Sequence, residues 1–389
     1  MPGYELIGAE EQAEVDDIFQ HGGVLFRHSF DAIRQNKWKV RDFEKAFANS
    51  LGVPHALAVT SGTAALRVAL AVLDLQPGDE VITQSFTFVA TVEAIIESGA
   101  TPVCADIDGT LNLDPKALTK MITAKTKAVI AVHMLGTPAN LFEIDSICRK
   151  NKLTLIEDAA WGCGGSLDSR PLGTWGRMGT FSFDFAKTMT TGEGGMIVFQ
   201  NETDYKAAAA WHDHGHENNP AVPRWEDTRA SSGFNFRMTE MQGAVGLAQL
   251  KKLSTVVSAQ RKNRDAMWAA IKILPGIVAR EVPAGSYETA DALVFSVKDN
   301  ATARQCRDAL VAEGLSTKIL PEAVTWHFAG TWTHMPELVA RHGGDLSKAF
   351  LSSSARLECA VSLPVVVKMD EAVPARLHKA LSKVLRKQL

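Results

Sequence analysis

The sequence has no Cys-x-x-Cys pair, and its five cysteines, Cys104, Cys148, Cys163, Cys306 and Cys359, are odd in number and far apart. That pattern excludes a disulfide framework and a cysteine-based zinc site, and it fits unpaired thiols in a reducing compartment. No uninterrupted apolar run reaches the roughly 20 residues that span a bilayer. The opening "MPGYELIGAEEQAEV" is polar and lacks the apolar region of a secretory signal. A cytoplasmic protein without membrane partners is the expectation. Charge of one sign is not concentrated anywhere: the net charge is −3, with acidic and basic residues mixed along the chain. Neither a nucleic-acid-binding face nor a disordered acidic arm is expected. Also missing is a G-x-G-x-x-G after the first strand-like run, which argues against a nicotinamide dehydrogenase.

What is present is a chain of 389 residues, 46% hydrophobic and 22% charged, long enough for a sizeable core. Between residues 55 and 160, short apolar runs alternate with helical stretches: "HALAVT", "DEVITQ", "TPVCADI", "TKAVIAVHM" and "LTLIED" are each strand-like. Ala64, Leu66, Val68, Ala69, Val72 and Leu73 give the first intervening helix an apolar stripe. Strands apolar nearly throughout point to a mostly parallel sheet covered on both faces. Two further runs, "GTFSFDF" (179–185) and "GGMIVFQ" (194–200), have no helix between them, so the sheet is expected to depart from simple alternation there. A long helix is expected over about 237–273, ended by "LPG". The division expected is a large α/β domain at 1–255 and a small α+β domain at 256–389. The polar loop 214–234 is long enough to suggest function.

Three motifs carry chemistry, and a fourth does not. In "TSGTAAL" (60–66) a strand gives way to a helix, whose free N–H groups favour an anion, with Ser61 and Thr63 adding hydroxyls; a plain helix cap by Thr60 or Ser61 explains it as well. In "LIEDAAW" (155–161) Glu157 and Asp158 end an apolar strand. Adjacent strand residues face opposite ways, so only one can meet a given ligand there. Lys187 follows an aromatic-rich strand and precedes the glycine-rich "GEGG". In an apolar surround its amine loses its proton readily and can condense with a carbonyl to form a Schiff base; an exposed strand-end lysine is the alternative. His212, His214 and His216 alternate in "HDHGHENN". Three imidazoles suit zinc, but no carboxylate–histidine helix motif accompanies them, and no metal is expected. Together, a phosphate cradle, a carboxylate for a ring nitrogen and a Schiff-base lysine are the parts that hold pyridoxal phosphate.

With "GTFSFDFAKTMTTGEGGMIV", "SGTAAL", "FTFVATVEAI", "IEDAA" and "GFNFRMTEMQGAVGLAQL" in order, the chain resembles the DegT/StrS family of sugar aminotransferases from about Leu25 to Met369. The resemblance implies an α/β, aspartate aminotransferase-like (fold type I) structure: a large, mostly parallel mixed sheet domain plus a small C-terminal domain. It implies that Lys187 carries the cofactor and shuttles the proton, that Asp158 pairs with the pyridine nitrogen and that Phe88 stacks on the ring. Gly62, Thr63 and Ser182 would hold the phosphate, and Asn235 would reach it from the second subunit of a homodimer with shared active sites. Many relatives carry Gln or His where this chain has Trp161, near the cofactor's phenolic oxygen, and many carry histidine at the place of Asp184. Relatives with histidine in place of the lysine are dehydratases; Lys187 argues against that here.

The implied reaction moves an amino group from L-glutamate to a keto or aldehyde sugar. The segments "MPGYELIG", "VLFRHSFDAIRQNKWKVRDFE" (24–44), "DHGHENN" and "WHF" (326–328) resemble a branch whose acceptor is 8-oxo-3-deoxy-manno-octulosonate, a precursor for surface polysaccharide. A nucleotide-linked 3- or 4-keto sugar is the alternative acceptor, and a non-catalytic regulatory protein is the alternative of another class. An acidic sugar would need cations, for which Arg27, His216, Arg237 and His327 stand as candidates; for Arg237 a helix-start salt bridge is the competing role.

Overall fold

The computed structural model describes residues 2–386. Its centre is a seven-stranded sheet in the order His55–Val59, Gly195–Phe199, Met178–Ser182, Thr154–Asp158, Thr126–Val132, Glu80–Gln84, Thr101–Ala105. Gly195–Phe199 runs antiparallel to both neighbours, and every other pairing is parallel. The missing helix between the last two strand-like runs has this consequence. Without a crossover, Met178–Ser182 and Gly195–Phe199 can pair only as antiparallel neighbours.

The strands are buried on both faces because alternate residues feed two separate cores. Leu57, Val59, Ile130, Val132 and Ile156 enter one core, with helix Gly62–Ala71 against it. Ala56, Ala58, Val129, Ala131 and Leu155 enter the other, with Phe43 and Phe47 of helix Lys39–Leu51. Local chemistry ends the elements where they end. Ser61, Asn140, Asn201 and Asp299 each cap a helix with their side chains, and Gly52 closes Lys39–Leu51 in the left-handed region at φ 67°.

The long helix is Glu240–Ile271, started by a reciprocal Thr239–Gln242 capping box. Its first turns lie on Lys39–Leu51, while Met267 and Ile271 enter a third core beneath the small sheet of Val278–Ala279, Ala292–Ser296 and Ala360–Pro364. Residue 255 falls inside this helix. Residues 319–357 return to the first core of the large sheet through Leu320, Phe328, Trp332 and Phe350. There Phe328 bridges Phe86, and Thr87 N–H donates to the His327 carbonyl at 2.8 Å. Among the described residues no helix is long and apolar enough to cross a membrane.

The contact between Glu240–Ile271 and Lys39–Leu51 is close enough to test. A Cβ at Gly243 would lie 2.7 Å from the Val40 backbone nitrogen. Gly243→Ala should therefore destabilise the protein by about 1–3 kcal/mol in chemical denaturation, because backbone rather than a flexible side chain would have to move. An unchanged midpoint would show that the helices can separate freely.

Candidate active site

The parallel strands all end on one edge of the sheet, and the loops leaving them enclose a cavity of about 420 Å³. Gly62, Thr63, Phe88, Asp158, Trp161, Ser182, Lys187 and His327 all line it. At one end, Ser61 is extended (φ −164°) and its hydroxyl accepts from Ala64 N–H at 3.0 Å. Ser61 is thus the helix cap, and the first-turn N–H groups of Gly62 and Thr63 have no intrahelical acceptor. The cap is made by Ser61, and it leaves these N–H groups facing the cavity end. A Cβ at Gly62 would stand 2.7 Å from the Ser182 Cβ, so glycine is what lets the helix start meet Ser182.

The two carboxylates at the end of Thr154–Asp158 separate by function as well as by face. Glu157 is fully buried and accepts from the N–H groups of Gly173 (2.8 Å), Trp175 (2.5 Å) and Gly176 (2.9 Å). His133 completes this anchor at 3.1 Å. The His133 Nδ1 accepts from Ala139 N–H at 3.1 Å, so the proton sits on Nε2 and is donated to Glu157. Asp158 faces the cavity. Its Oδ2 accepts from the Thr91 hydroxyl at 2.9 Å and its Oδ1 from Ala160 N–H at 3.1 Å, while Thr87 stands 2.9 Å behind Thr91. Burial pushes the Asp158 pKa up, against those bonds and the charge of Lys187.

Lys187 lies half-buried in the cavity wall, with Nζ 3.7 Å from the centroid of the Trp161 ring. Desolvation lowers its pKa to about 8, opposed by Asp291 and Asp158 and reinforced by the Lys318 charge. Lys318 belongs to the same cluster: its Nζ stands 4.7 Å from the Trp161 centroid and is paired with Asp291. His327 is neutral at ordinary pH. Burial holds its pKa down to about 4, opposed by the Ala323 carbonyl and reinforced by the lysine charges. Its Nδ1–H donates to that carbonyl at 3.2 Å, leaving Nε2 as an acceptor. Phe88 presents a ring 40% exposed, 5.6 Å from the His327 ring. Asp184 lines the cavity as well, and its carboxylate accepts from Ala186 N–H at 2.9 Å, which shapes the turn into Lys187.

The other candidates lie outside this cavity. The Arg27 guanidinium is bound to Glu44 at 2.8 Å and to the Ala58 carbonyl at 3.0 Å. Arg237 is paired with Asp213, as in the salt-bridge reading, though Asp213 also holds Arg224 at 2.5 Å. His216 is bound to Asp227 at 3.0 Å, and Asn235 bridges Asp213 through its backbone. His212 is buried against the Ala209 carbonyl, at the end of a helix rather than on a strand, so the three alternating histidines do not share a face. No group of three or more His, Cys, Asp or Glu suited to a metal occurs among the described residues. Sequence reasoning missed Thr91, Lys318 and Asp291. Thr91 sits within "FTFVAT", one helical turn after Phe88, and so had a signal; "STKILP" around Lys318 matches no motif.

The donor set fits pyridoxal phosphate. Free N–H groups and a hydroxyl suit its phosphate, the buried carboxylate of Asp158 suits a ring N–H, the bare face of Phe88 suits a flat ring, and the low-pKa amine suits a carbonyl. A mostly parallel sheet with these groups at its carboxyl edge defines a pyridoxal-phosphate-dependent aminotransferase. The chain belongs to the DegT/DnrJ/EryC1/StrS aminotransferase family, which matches residues 11–382; it is a sugar aminotransferase of the DegT/StrS type. It is 34% identical to GDP-perosamine synthase of Vibrio cholerae over 283 residues, 72% of this chain and 73% of that protein. The structure of 3-amino-5-hydroxybenzoic acid synthase superposes with a TM-score of 0.83 at 26% identity, covering 99% of this chain and 98% of that one. NtdA of Bacillus subtilis, solved with its cofactor PMP bound, shares the fold with a TM-score of 0.84 at 24% identity, covering 99% of this chain and 84% of its own.

Two outcomes test the site. In protein stripped of cofactor, labelling of Lys187 by an amine reagent, read by mass spectrometry, should rise with a midpoint near pH 8. An ordinary lysine would be neutral only on the order of 1 part in 300 at that pH, so a midpoint above 10 would remove burial as the controlling factor. Glu157→Ala strands several buried N–H donors and should cost about 3 kcal/mol of stability or more. Asp158→Ala should barely move the melting temperature yet weaken cofactor binding in an absorbance titration; the reverse pattern would reassign the pair.

Proposed function

We propose that this chain moves the amino group of L-glutamate to an aldehyde or keto sugar, with 8-oxo-3-deoxy-manno-octulosonate as the acceptor, for surface polysaccharide. The observation that carries the transfer chemistry is the Lys187 amine, desolvated over Trp161 beside the buried Asp158 carboxylate. When bound, pyridoxal phosphate supplies the electron sink and holds the amino group between the two half-reactions. Lys187 Nζ takes the proton from the donor's α-carbon and later returns one to the acceptor carbon, which an amine with a pKa near 8 does in both directions near neutral pH. Asp158 holds a positive N–H in place, steadied by the Thr91 hydroxyl. The N–H groups at Gly62 and Thr63, with Ser182, orient the phosphate, and the indole of Trp161 excludes water around Lys187.

The octulosonate acceptor is supported by the segments at 24–44, 213–219 and 326–328, of which His327 reaches the cavity. Asn235 lies off this chain's own cavity, which supports its serving, in a homodimer, the neighbouring site. The second reading is a nucleotide-linked keto sugar, favoured by the likeness to GDP-perosamine synthase.

Purified protein should be yellow and should release 2-oxoglutarate from glutamate. Mass spectrometry of products from a panel of octulosonate aldehyde and nucleotide-linked keto sugars should show amination of the octulosonate. Amination of a nucleotide sugar alone would replace the acceptor, and no aminated product with normal cofactor binding would favour a regulatory role. Lys187→Ala should slow the glutamate half-reaction by at least about 100-fold while leaving oligomeric state unchanged in gel filtration; undiminished turnover would remove Lys187 from its role.

A further inference from the structure

We propose that Lys318 binds the carboxylate adjacent to the reacting carbon of the amino donor and so determines donor recognition. The proposal rests on the aminotransferase reading of the same cavity. An amino-acid donor brings a carboxylate one bond from the carbon whose proton is moved. That carboxylate needs a cation other than Lys187, whose amine moves the proton. Arg27 and Arg237 are committed elsewhere, to Glu44 and Asp213, and His327 is uncharged. Lys318 meets the requirement in place and in reach. Its Nζ stands over the same Trp161 ring as Lys187, at 4.7 Å against 3.7 Å from the centroid.

The residue is also rigidly presented. Lys318 N–H donates to the Ser362 carbonyl at 2.7 Å, and the Lys318 carbonyl accepts from Leu320 N–H at 2.8 Å. Its ammonium is steadied by Asp291, the only partner bonded to it among the described residues. An ammonium has three donors, so Asp291 orients it and leaves the others for a ligand. The side chain remains 19% exposed, whereas that of Asp291 is almost fully buried. A purely structural ion pair, tying the segment before Ile319 to the small sheet, makes a different prediction about substrates.

The holoenzyme half-reaction, followed by cofactor absorbance, separates the two. L-Glutamate is compared with its α-amide, which keeps the amine and the side-chain carboxylate but neutralises the carboxylate in question. The wild-type protein should half-saturate with glutamate at a concentration at least about tenfold lower than with the amide. Lys318→Met should raise the glutamate half-saturation by about tenfold or more, with the maximal rate changed less, and should erase the preference. Lys318→Arg should restore it. Equal use of the two donors by the wild type, or a preference that survives in Lys318→Met, overturns the proposal. If Lys318→Met does not fold, the wild-type donor ratio and the Lys318→Arg variant decide. Failure of the wild type to react with any amino acid is a separate result, seen without a variant, and sinks the aminotransferase reading itself.

Discussion

An ammonium group taken out of water must be answered by charge or give up its proton, and Lys187 is placed so that both tendencies hold. The indole of Trp161 covers it, while Asp158 and Asp291 oppose the loss of its charge. Nearly every feature of the cavity serves that balance. The sheet brings Asp158 to the edge where Lys187 leaves its own strand. The turn after Ser182 is shaped by Asp184, and the second ammonium, Lys318, adds repulsion that Asp291 moderates.

Alternation along a strand lets neighbouring residues do unrelated work. Glu157 and Asp158 are one bond apart in the backbone and face opposite cores. Glu157 gathers backbone donors from the turn at Gly173–Gly176 and fixes the tautomer of His133. Asp158 keeps spare acceptor capacity toward the cavity, since each of its oxygens takes one bond from the protein. The same alternation builds the two large cores, so the geometry of the site is set by the same rule that sets the fold.

The parallel sheet, its one antiparallel departure and the long helix were legible because each rests on local pattern. Apolar runs, a missing crossover and the breaker "LPG" are each read from a few neighbouring residues of the chain. The cavity-lining residues were legible for a related reason. Strand ends and helix starts carry short motifs, and Gly62, Asp158, Ser182 and Lys187 all sit in such places. Arg27 and His216 read as free cations in the sequence, and Arg237 as either a free cation or a salt-bridge partner, yet each is paired with a carboxylate 11 to 24 residues away. Nothing in a linear pattern announces such a pairing.

The chain by itself determined the order of strands and helices, because these follow from periodicity and from the chemistry of helix starts, while Lys187 and the start of the first helix stood out through motifs that resemble a known family. Tertiary structure alone decided that Lys318 and Asp291 stand beside a site whose other members, His327 apart, lie between residues 61 and 193. Lys318 and Asp291 are brought to Trp161 by the small sheet and the turn leading from it, across sequence separations of more than 100 residues. The energy that places them comes from burying apolar surface between sheet layers, which acts through space and leaves no local signature around the charged residues it positions.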